Sequence, residues 1–77
     1  MLTLYTKPGC SFCAQVKEEA IFLGIEYNER SIADEGVIEE LVKKGGERHV
    51  PFLIDDEAGV SMYGSDKIIA HLHKRFK

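Results

Sequence analysis

Cys10 and Cys13 are the residues of this chain whose type and spacing most directly suggest chemistry. They are its only cysteines, they are separated by two residues, and Pro8 and Gly9 stand between them and a short apolar run. Residues three apart on a helix have Cβ atoms about 5–6 Å apart, and a disulfide tolerates Cα separations of about 4.4–6.8 Å. The spacing therefore predicts a redox pair whose disulfide forms and breaks with little backbone movement.

The two thiols are expected to have different roles, because they take different positions on the helix that follows. The thiolate is the nucleophile in thiol–disulfide exchange, and the N-terminus of a helix stabilises it through unpaired N–H groups and the helix dipole. Cys10 lies at that end, where Lys7 adds a nearby positive charge, whereas Cys13 lies one turn further along. We therefore expect Cys10 to attack a disulfide and Cys13 to resolve the mixed disulfide that results.

Two structural interpretations of the same pair have less support. Structural zinc needs four ligands, and the chain has no second cysteine pair to complete such a site. A permanent disulfide would close so short a loop that it would restrict the unfolded chain little. The position of the pair at a strand-to-helix junction favours the redox interpretation over both.

Length and composition place the pair in one small domain, residues 1–77. Ten Lys and Arg against thirteen Asp and Glu give a net charge of −3, with no basic cluster of the kind that binds nucleic acid or anionic lipid. The chain has neither a signal-peptide start nor an apolar segment of membrane-spanning length. We therefore expect a cytoplasmic protein with no nucleic-acid or membrane partner, and in that compartment a cysteine pair is more often catalytic or metal-binding than structural.

The apolar periodicity of the first thirty residues predicts the elements that position the pair. Residues 2–6 form a strand, and a helix follows with apolar residues at three- and four-residue spacing up to Gly24, which is placed to cap it. Residues 25–30 alternate like a second strand. A strand, a helix and a strand of these lengths form a right-handed βαβ unit with parallel strands.

The remaining residues predict a helix, a hairpin and a last helix. The first of these begins near Asp34 and ends at Gly45. Residues 50–54 and 60–63 are strand-like, and the acidic turn between them has too few ligands for an EF-hand loop. Ser65 is expected to be the N-cap of the last helix. The buried stripe of that helix is expected to comprise Ile68, Ile69, Leu72 and Phe76.

With these features, the chain resembles glutaredoxins along nearly all of its length. Residues 5–7 followed by residues 10–13 resemble the active-site segment of that family, although Ser11 stands where the family usually has Pro and Phe12 where it usually has Tyr. The resemblance implies an α/β, thioredoxin-like fold of order β-α-β-α-β-β-α, in which three helices flank a four-stranded mixed sheet. It also associates the departure at Ser11 with glutaredoxins that bridge an iron–sulfur cluster between two subunits.

The resemblance extends to segments that would bind glutathione. His49-Val50-Pro51 resembles the Thr-Val-Pro of the family, in which a cis bond precedes the proline and the valine backbone pairs with the cysteinyl part of glutathione. Only an X-Pro bond makes the cis form inexpensive; an ordinary trans edge-strand proline is the alternative. His49 replaces the threonine, and we interpret it as solvent-facing rather than as a catalytic base.

Gly64-Ser65-Asp66 resembles the segment that holds the γ-glutamyl end of glutathione. A helix N-terminus suits the α-carboxylate and Asp66 suits the α-ammonium, whereas a plain N-cap is the alternative. Lys7 pairs with the glycine carboxylate or is a surface lysine. The implied glutathione-binding residues are Lys7, Phe12, Val50, Pro51, Ser65 and Asp66.

Residues 50–66 also resemble part of the amino-terminal half of a glutathione transferase. Those enzymes need an added helical domain for the second substrate. We expect that 77 residues leave no room for it, and the two cysteines favour redox chemistry.

These observations predict a monomeric dithiol glutaredoxin with glutathione as co-substrate and no required metal. It would reduce disulfide-containing and glutathionylated proteins through Cys10 and Cys13. His71 and His73 lie two apart on the last helix and do not form a metal pair. Two alternatives stay open: a glutaredoxin that bridges an iron–sulfur cluster through Cys10 of two subunits, and a redoxin dedicated to one partner and reduced by a thioredoxin-type reductase.

Overall fold

A computed structural model describes residues 1–76, which form four strands and three helices. In chain order these elements are β1 (Leu2–Thr6), α1 (Ser11–Phe22), β2 (Tyr27–Ser31), α2 (Val37–Gly45), β3 (Phe52–Asp55), β4 (Val60–Tyr63) and α3 (Ser65–Phe76). The predicted order of elements is confirmed, and β1 and β4 have the predicted bounds.

The strands form one mixed sheet in the order β2-β1-β3-β4. β1 pairs parallel with β2, where Leu2 lies opposite Tyr27, and antiparallel with β3, where Leu4 lies opposite Leu53. β4 extends the sheet by antiparallel pairing with β3. A parallel pair requires a crossover connection, and α1 provides it. This is the thioredoxin-like fold that the sequence predicts.

Two hydrophobic clusters cover the two faces of the sheet. Successive side chains of a strand point to opposite faces, so Leu4 of β1 packs on one side and Tyr5 on the other. The cluster beneath α1 and α3 comprises Leu2, Leu4, Val16, Ala20, Leu53, Ile68 and Leu72. The cluster beneath α2 comprises Tyr5, Val37, Leu41 and Phe52. Because the sheet is covered on both faces, the N-terminus of α1 has a fixed position at the end of β1.

The predicted start of β2 is wrong by two residues. The backbone N–H of Ile25 donates to the C=O of Ala20 at 2.9 Å, which keeps Ile25 in the turn that ends α1. Gly24 takes the left-handed conformation there, as expected of a capping glycine. β2 therefore begins at Tyr27 and continues to Ser31.

The predicted starts of α2 and β3 are also wrong. The N–H of Asp34 donates to the C=O of Ser31 at 3.0 Å, so these residues form a turn and α2 begins only at Val37. Pairing of β3 with both neighbours starts at Phe52 rather than at residue 50. In α3, Ile68 and Leu72 of the expected stripe are buried and Ile69 is half-buried. Phe76 is 38% exposed, so the stripe ends before it.

Candidate active site

Cys10 lies directly before α1, at the carboxyl end of β1. The chain turns between these elements through Gly9, whose φ of +77° is a conformation that glycine adopts without a steric penalty. Cys10 is the N-cap of α1, and its Sγ accepts a hydrogen bond from the backbone N–H of Cys13 at 3.2 Å. A hydrogen bond to the charged form of a group favours that form. The helix terminus thus stabilises the Cys10 thiolate.

The two cysteines, both free thiols, differ in burial and in ionisation. Cys10 is half-buried, whereas Cys13 is 1% exposed. Burial raises the pKa of the Cys13 thiol to about 11, and its hydrogen bond with Cys10 acts in the same direction. Burial also raises the pKa of Cys10, but hydrogen bonds from Cys13 and Phe12 and the charge of Lys7 outweigh it, so that this pKa is lowered. The pair therefore consists of an accessible, ionisable thiol and a protonated thiol behind it.

Two grooves lie beside Cys10 and share Phe12 and Val50 as lining residues. The first encloses about 380 Å³ and contains Cys10 and Lys7. The second encloses about 340 Å³ and extends to the start of α3. The six residues predicted to bind glutathione line one or both grooves: Lys7, Phe12, Val50, Pro51, Ser65 and Asp66. The structure thus brings together residues from three separate segments, and their role in binding stays a prediction.

Pro51 fixes the position of the segment before β3, in which Val50 lines both grooves. The peptide bond between Val50 and Pro51 is cis, as predicted. Pro51 is buried, and its C=O accepts a hydrogen bond from the N–H of Gly64 at 3.2 Å. This bond joins the residues before β3 to the residue before α3.

The predicted N-cap of α3 is wrong by one residue. Ser65 is already helical, and Gly64 precedes it with a φ of +93° and accepts the N–H of Ile68 through its C=O at 3.0 Å. Ser65 is 7% exposed, whereas Asp66 is exposed. The N–H groups in the first turn of a helix have no partner within it. The start of α3 can therefore bind a carboxylate, beside which Asp66 offers a negative charge for a cation.

Among the lining residues of the grooves that the sequence did not predict are Arg48 and Tyr63. Arg48 lines the groove that contains Cys10, together with Lys7 and His49, so three basic side chains border the thiol there. A basic residue two positions before Val50 could have been noticed in the sequence. Tyr63 lines the second groove, and no local signal in the sequence pointed to it.

Tyr63 fixes the segment that leads into the grooves. Its hydroxyl accepts the backbone N–H of Glu47 at 3.0 Å and donates to the C=O of the same residue at 2.8 Å. Its ring lies 4.4 Å from that of Phe52, centroid to centroid. A Cβ at Gly45 would overlap the Tyr63 hydroxyl, so the close approach of β4 to the end of α2 requires glycine.

A third groove, of about 420 Å³, lies on the other side of Cys10 between α1 and β2. Its wall carries a polar cluster, in which Oε2 of Glu29 accepts hydrogen bonds from Oγ1 of Thr6 at 2.8 Å and from Nζ of Lys17 at 3.1 Å. The Thr6 hydrogen bond, together with Lys17, lowers the pKa of Glu29 against the effect of its partial burial. Sequence reasoning gave these three residues no role.

Comparison with known families places the chain. It matches the family model described as glutathione S-transferase, N-terminal domain, over residues 4–77. The chain belongs to this family. The match supports the thioredoxin-like superfamily that the sequence predicts. It does not show the finer prediction of a glutaredoxin, because the matching family is that of the glutathione S-transferases. No curated protein matches the chain.

Solved structures resemble this N-terminal domain over nearly its whole length. The thioredoxin-like protein BC3987 has a TM-score of 0.83 and 24% identity, covering 96% of this chain and 97% of its own, and supports the fold alone. Glutathione transferase E6 from Drosophila melanogaster has a TM-score of 0.81 and 28% identity, covering 99% of this chain and 35% of its own. Ure2p in complex with S-p-nitrobenzylglutathione has a TM-score of 0.80 and 25% identity, covering 97% of this chain and 34% of its own. The chain spans about a third of the length of the last two.

The glutathione S-transferase N-terminal domain contains no grouping of three His, Cys, Asp or Glu side chains suited to a metal ion within residues 1–76. Nε2 of His71 lies 2.8 Å from Asp55, and Nε2 of His73 lies 2.7 Å from Glu19, so the two histidines contact different carboxylates. Over the same residues, the structure has no helix that is both long and apolar enough to cross a membrane. The cytoplasmic location and the monomeric state stay predictions.

Proposed function

We propose that this chain is a thiol–disulfide oxidoreductase of the glutaredoxin kind, which uses glutathione as reductant and acts through Cys10 and Cys13. One observation carries the proposal: a half-buried thiol accepts the N–H of Cys13 at a helix terminus, and a second thiol lies buried one turn behind it. A transferase that only activates the thiol of glutathione needs no second protein thiol. A dithiol pair of unequal pKa suits disulfide exchange, in which one thiol attacks and the other resolves.

Two reaction routes follow from the pair. With a protein–glutathione disulfide, the Cys10 thiolate attacks the glutathione sulfur, the protein thiolate leaves, and a second glutathione then releases Cys10 as glutathione disulfide forms. With a protein disulfide, the Cys10 thiolate attacks one sulfur to form a mixed disulfide, the bond between the two protein sulfurs breaks, and the other sulfur leaves as a thiolate. Cys13 then attacks Cys10 and displaces the protein. Two glutathione molecules reduce the resulting Cys10–Cys13 disulfide.

The grooves support glutathione as the ligand because their charges complement its own. The cysteine of glutathione would lie beside the Val50 backbone, with its sulfur toward Cys10. The α-carboxylate of its γ-glutamyl end would bind at the start of α3, and Asp66 would pair with the ammonium. The glycine carboxylate would then lie in the first groove, near Lys7 and Arg48.

The division of labour between the cysteines is the direct test. Cys10→Ser should abolish reduction of both a glutathionylated peptide and a protein disulfide. Cys13→Ser should keep the first activity and lose the second, because only the second needs a resolving thiol. Turnover is measured with glutathione and, separately, with a thioredoxin-type reductase as electron source. Comparable loss of both activities in the two variants would contradict the assigned roles, and turnover with the reductase alone would contradict the use of glutathione.

A second candidate, a glutathione transferase, is favoured by the family match and by the similarity to transferase E6. In that case the grooves would hold glutathione for attack on an electrophile rather than on a disulfide. Conjugation of glutathione to an aryl halide, measured beside disulfide reduction on the same preparation, separates the two functions. Conjugation without disulfide reduction would favour the transferase.

A further inference from the structure

The resolving step requires an ionised Cys13, and the environment of this thiol opposes ionisation. Cys13 is 1% exposed, and its pKa is about 11. In the reduced pair, a thiol of that pKa is ionised at pH 7 in about one molecule in 10⁴. In the mixed disulfide Cys10 no longer raises this pKa, but burial still opposes the thiolate. Any positive charge that stays near Cys13 would therefore raise the rate at which a mixed disulfide is resolved.

Lys17 is the cation that the structure holds on this side of the thiol pair. It follows Cys13 by four residues on α1, so the two side chains share one face of the helix. Its Nζ donates to Oε2 of Glu29 on β2 at 3.1 Å, and the same oxygen accepts from the hydroxyl of Thr6 at 2.8 Å. Thr6 is 2% exposed and is the last residue of β1. The ammonium is thus directed from α1 toward β2, in an ion pair whose two side chains are 36% and 40% exposed.

The other groups near the thiols do not replace this charge. Lys7, in the loop before α1, is exposed and lines the groove of Lys17 as well as the groove of Val50. Its charge lowers the pKa of Cys10, whereas it acts on Cys13 through a backbone hydrogen bond. From α3, Ile68 and Leu72 enter the apolar cluster beneath α1, the buried Ser65 carries no charge, and His73 pairs with Glu19 of α1. Burial is the largest influence on the pKa of Cys13 and raises it. The backbone hydrogen bond of Lys7 lowers this pKa, and the charge of Lys17 lowers it to a smaller extent.

We propose that Lys17 stabilises the Cys13 thiolate during resolution, and that Glu29 and Thr6 are positioning residues that keep its ammonium beside α1. The inference rests on the proposed function. In this step the Cys13 thiolate attacks the sulfur of Cys10. A bond forms between the two cysteines, the bond from Cys10 to the target sulfur breaks, and its electron pair leaves with the target thiolate. The proton of Cys13 passes to solvent.

The test compares the two reaction routes in Lys17→Gln. Reduction of a protein disulfide should slow severalfold, because loss of the charge raises the pKa of Cys13 and lowers its thiolate fraction. Removal of glutathione from a peptide should be unchanged, because that route uses Cys10 alone. Lys17→Arg should restore the rate, since it keeps the charge. Lys43→Gln, which removes an exposed lysine of α2 on the other face of the sheet, is the matched control and should change neither activity.

A second measurement needs no turnover. In a Cys10→Ser background, alkylation of Cys13 below pH 9 should be severalfold slower with Lys17→Gln than with Lys17, because the thiolate fraction falls. Glu29→Gln removes a negative charge, which favours the thiolate, and weakens the attachment of the ammonium, which disfavours it. Slower alkylation in this variant would support the positioning role of Glu29, and faster alkylation would contradict it. Equal loss of both activities, or an unchanged alkylation rate, would overturn the inference. If the unmodified chain reduces neither substrate, the proposed function is overturned. Slower alkylation of Cys13 in Lys17→Gln would then still support the inference about Lys17.

Discussion

At the scale of the residue, Cys10 and Cys13 show how one helical turn gives identical side chains opposite properties. Cys10 is at the helix terminus, where backbone N–H groups point toward its sulfur. Cys13 is inside the domain, where no water can solvate a thiolate, and its pKa is about 11. The order in which the two sulfurs react therefore follows from their positions on α1.

The ionisation of Cys10 is the first property to measure. In Cys13→Ser, we expect alkylation of Cys10 to have a midpoint below the value of about 8.5 for a free cysteine. Burial opposes the thiolate, but hydrogen bonds from residue 13 and Phe12 and the charge of Lys7 outweigh it. The reactive form should therefore persist to lower pH than in free glutathione, which is the reference for the alkylation assay. A midpoint at or above that of glutathione would show that the helix terminus does not activate this thiol.

At the scale of the element, the start of α3 is the part of the site that depends least on the cysteines. Asp66→Ala should raise the Michaelis constant for glutathione about tenfold, which is the effect of losing one charge-assisted hydrogen bond of about 1.5 kcal/mol. Asp66 is exposed, so the circular dichroism spectrum should not change. Asp56→Ala, in the turn between β3 and β4, is the control. An unchanged constant would mean that Asp66 only favours the start of the helix.

The contact of β4 with the end of α2 offers a second element-scale test. Tyr63→Phe keeps the ring against Phe52 and removes both hydrogen bonds to Glu47. We expect the free energy of unfolding to fall by about 0.5–1.5 kcal/mol, as measured by urea denaturation. The Michaelis constant for glutathione should rise as well, because the segment that carries Arg48 loses its attachment. A Michaelis constant equal to that of the unmodified chain would show that Tyr63 has no influence on the binding of glutathione in the grooves.

At the scale of the whole molecule, the two ends of the sheet differ in what they carry: one carries the reactive groups and the other a network of charged side chains. The thiols and grooves lie at one end. At the other, Asp55 is 1% exposed and accepts hydrogen bonds from Nε2 of His71 at 2.8 Å and Nε of Arg75 at 2.7 Å. Arg75 also binds Glu57, which lies 3.4 Å from the amino group of Met1. This network joins the N-terminus, the hairpin turn and α3.

Asp55→Asn should reduce the free energy of unfolding by about 1.5–3 kcal/mol, since bonds to a buried charge are lost. It should leave the reactivity of Cys10 unchanged, because Asp55 lies at the far end of the sheet. Asp56→Asn is the matched control for stability. A loss of Cys10 reactivity would show that the two ends are coupled.

The same carboxylate predicts the acid dependence of stability. Burial raises the pKa of Asp55, but hydrogen bonds from His71, Ala58 and Arg75 outweigh it, so this pKa is lowered in the folded state. The stabilisation is therefore present above the unfolded value of about 3.9 and is lost as the pH falls through the folded value. Urea denaturation from pH 7 into this range should show the loss in the unmodified chain and a smaller one in Asp55→Asn.

Local signals allowed much of the fold to be predicted from the sequence. The strand at Leu2–Thr6 and the cap at Gly24 follow from apolar periodicity and from glycine, which act over a few residues. The start of α2 was misplaced because Asp34 is a good capping residue, whereas in the structure its N–H belongs to a turn with Ser31. The capping preference of Asp34 does not decide where α2 begins, because the chain leaving β2 turns at this residue.

The residues that complete the site could not be predicted in this way. Lys17 meets Glu29 across 12 positions of sequence, and Tyr63 meets Glu47 across 16. Such contacts depend on which elements the sheet places side by side, and no periodicity within one element encodes them. The cysteine pair, by contrast, is a local signal within four residues. It predicts a glutaredoxin, whereas residues 4–77 match the transferase domain.

The difference in pKa between the two thiols also determines how many protons are taken up when two electrons reduce the Cys10–Cys13 disulfide. Between the lowered pKa of Cys10 and the value of about 11 for Cys13, the reduced pair carries one proton rather than two. Its midpoint potential then falls by about 30 mV per pH unit, half the slope of glutathione, whose thiol stays protonated below about pH 8.5. Reduction of the Cys10–Cys13 disulfide by two glutathione molecules consequently releases a proton. At constant glutathione and glutathione disulfide concentrations, a rise in pH therefore shifts the pair toward its reduced form.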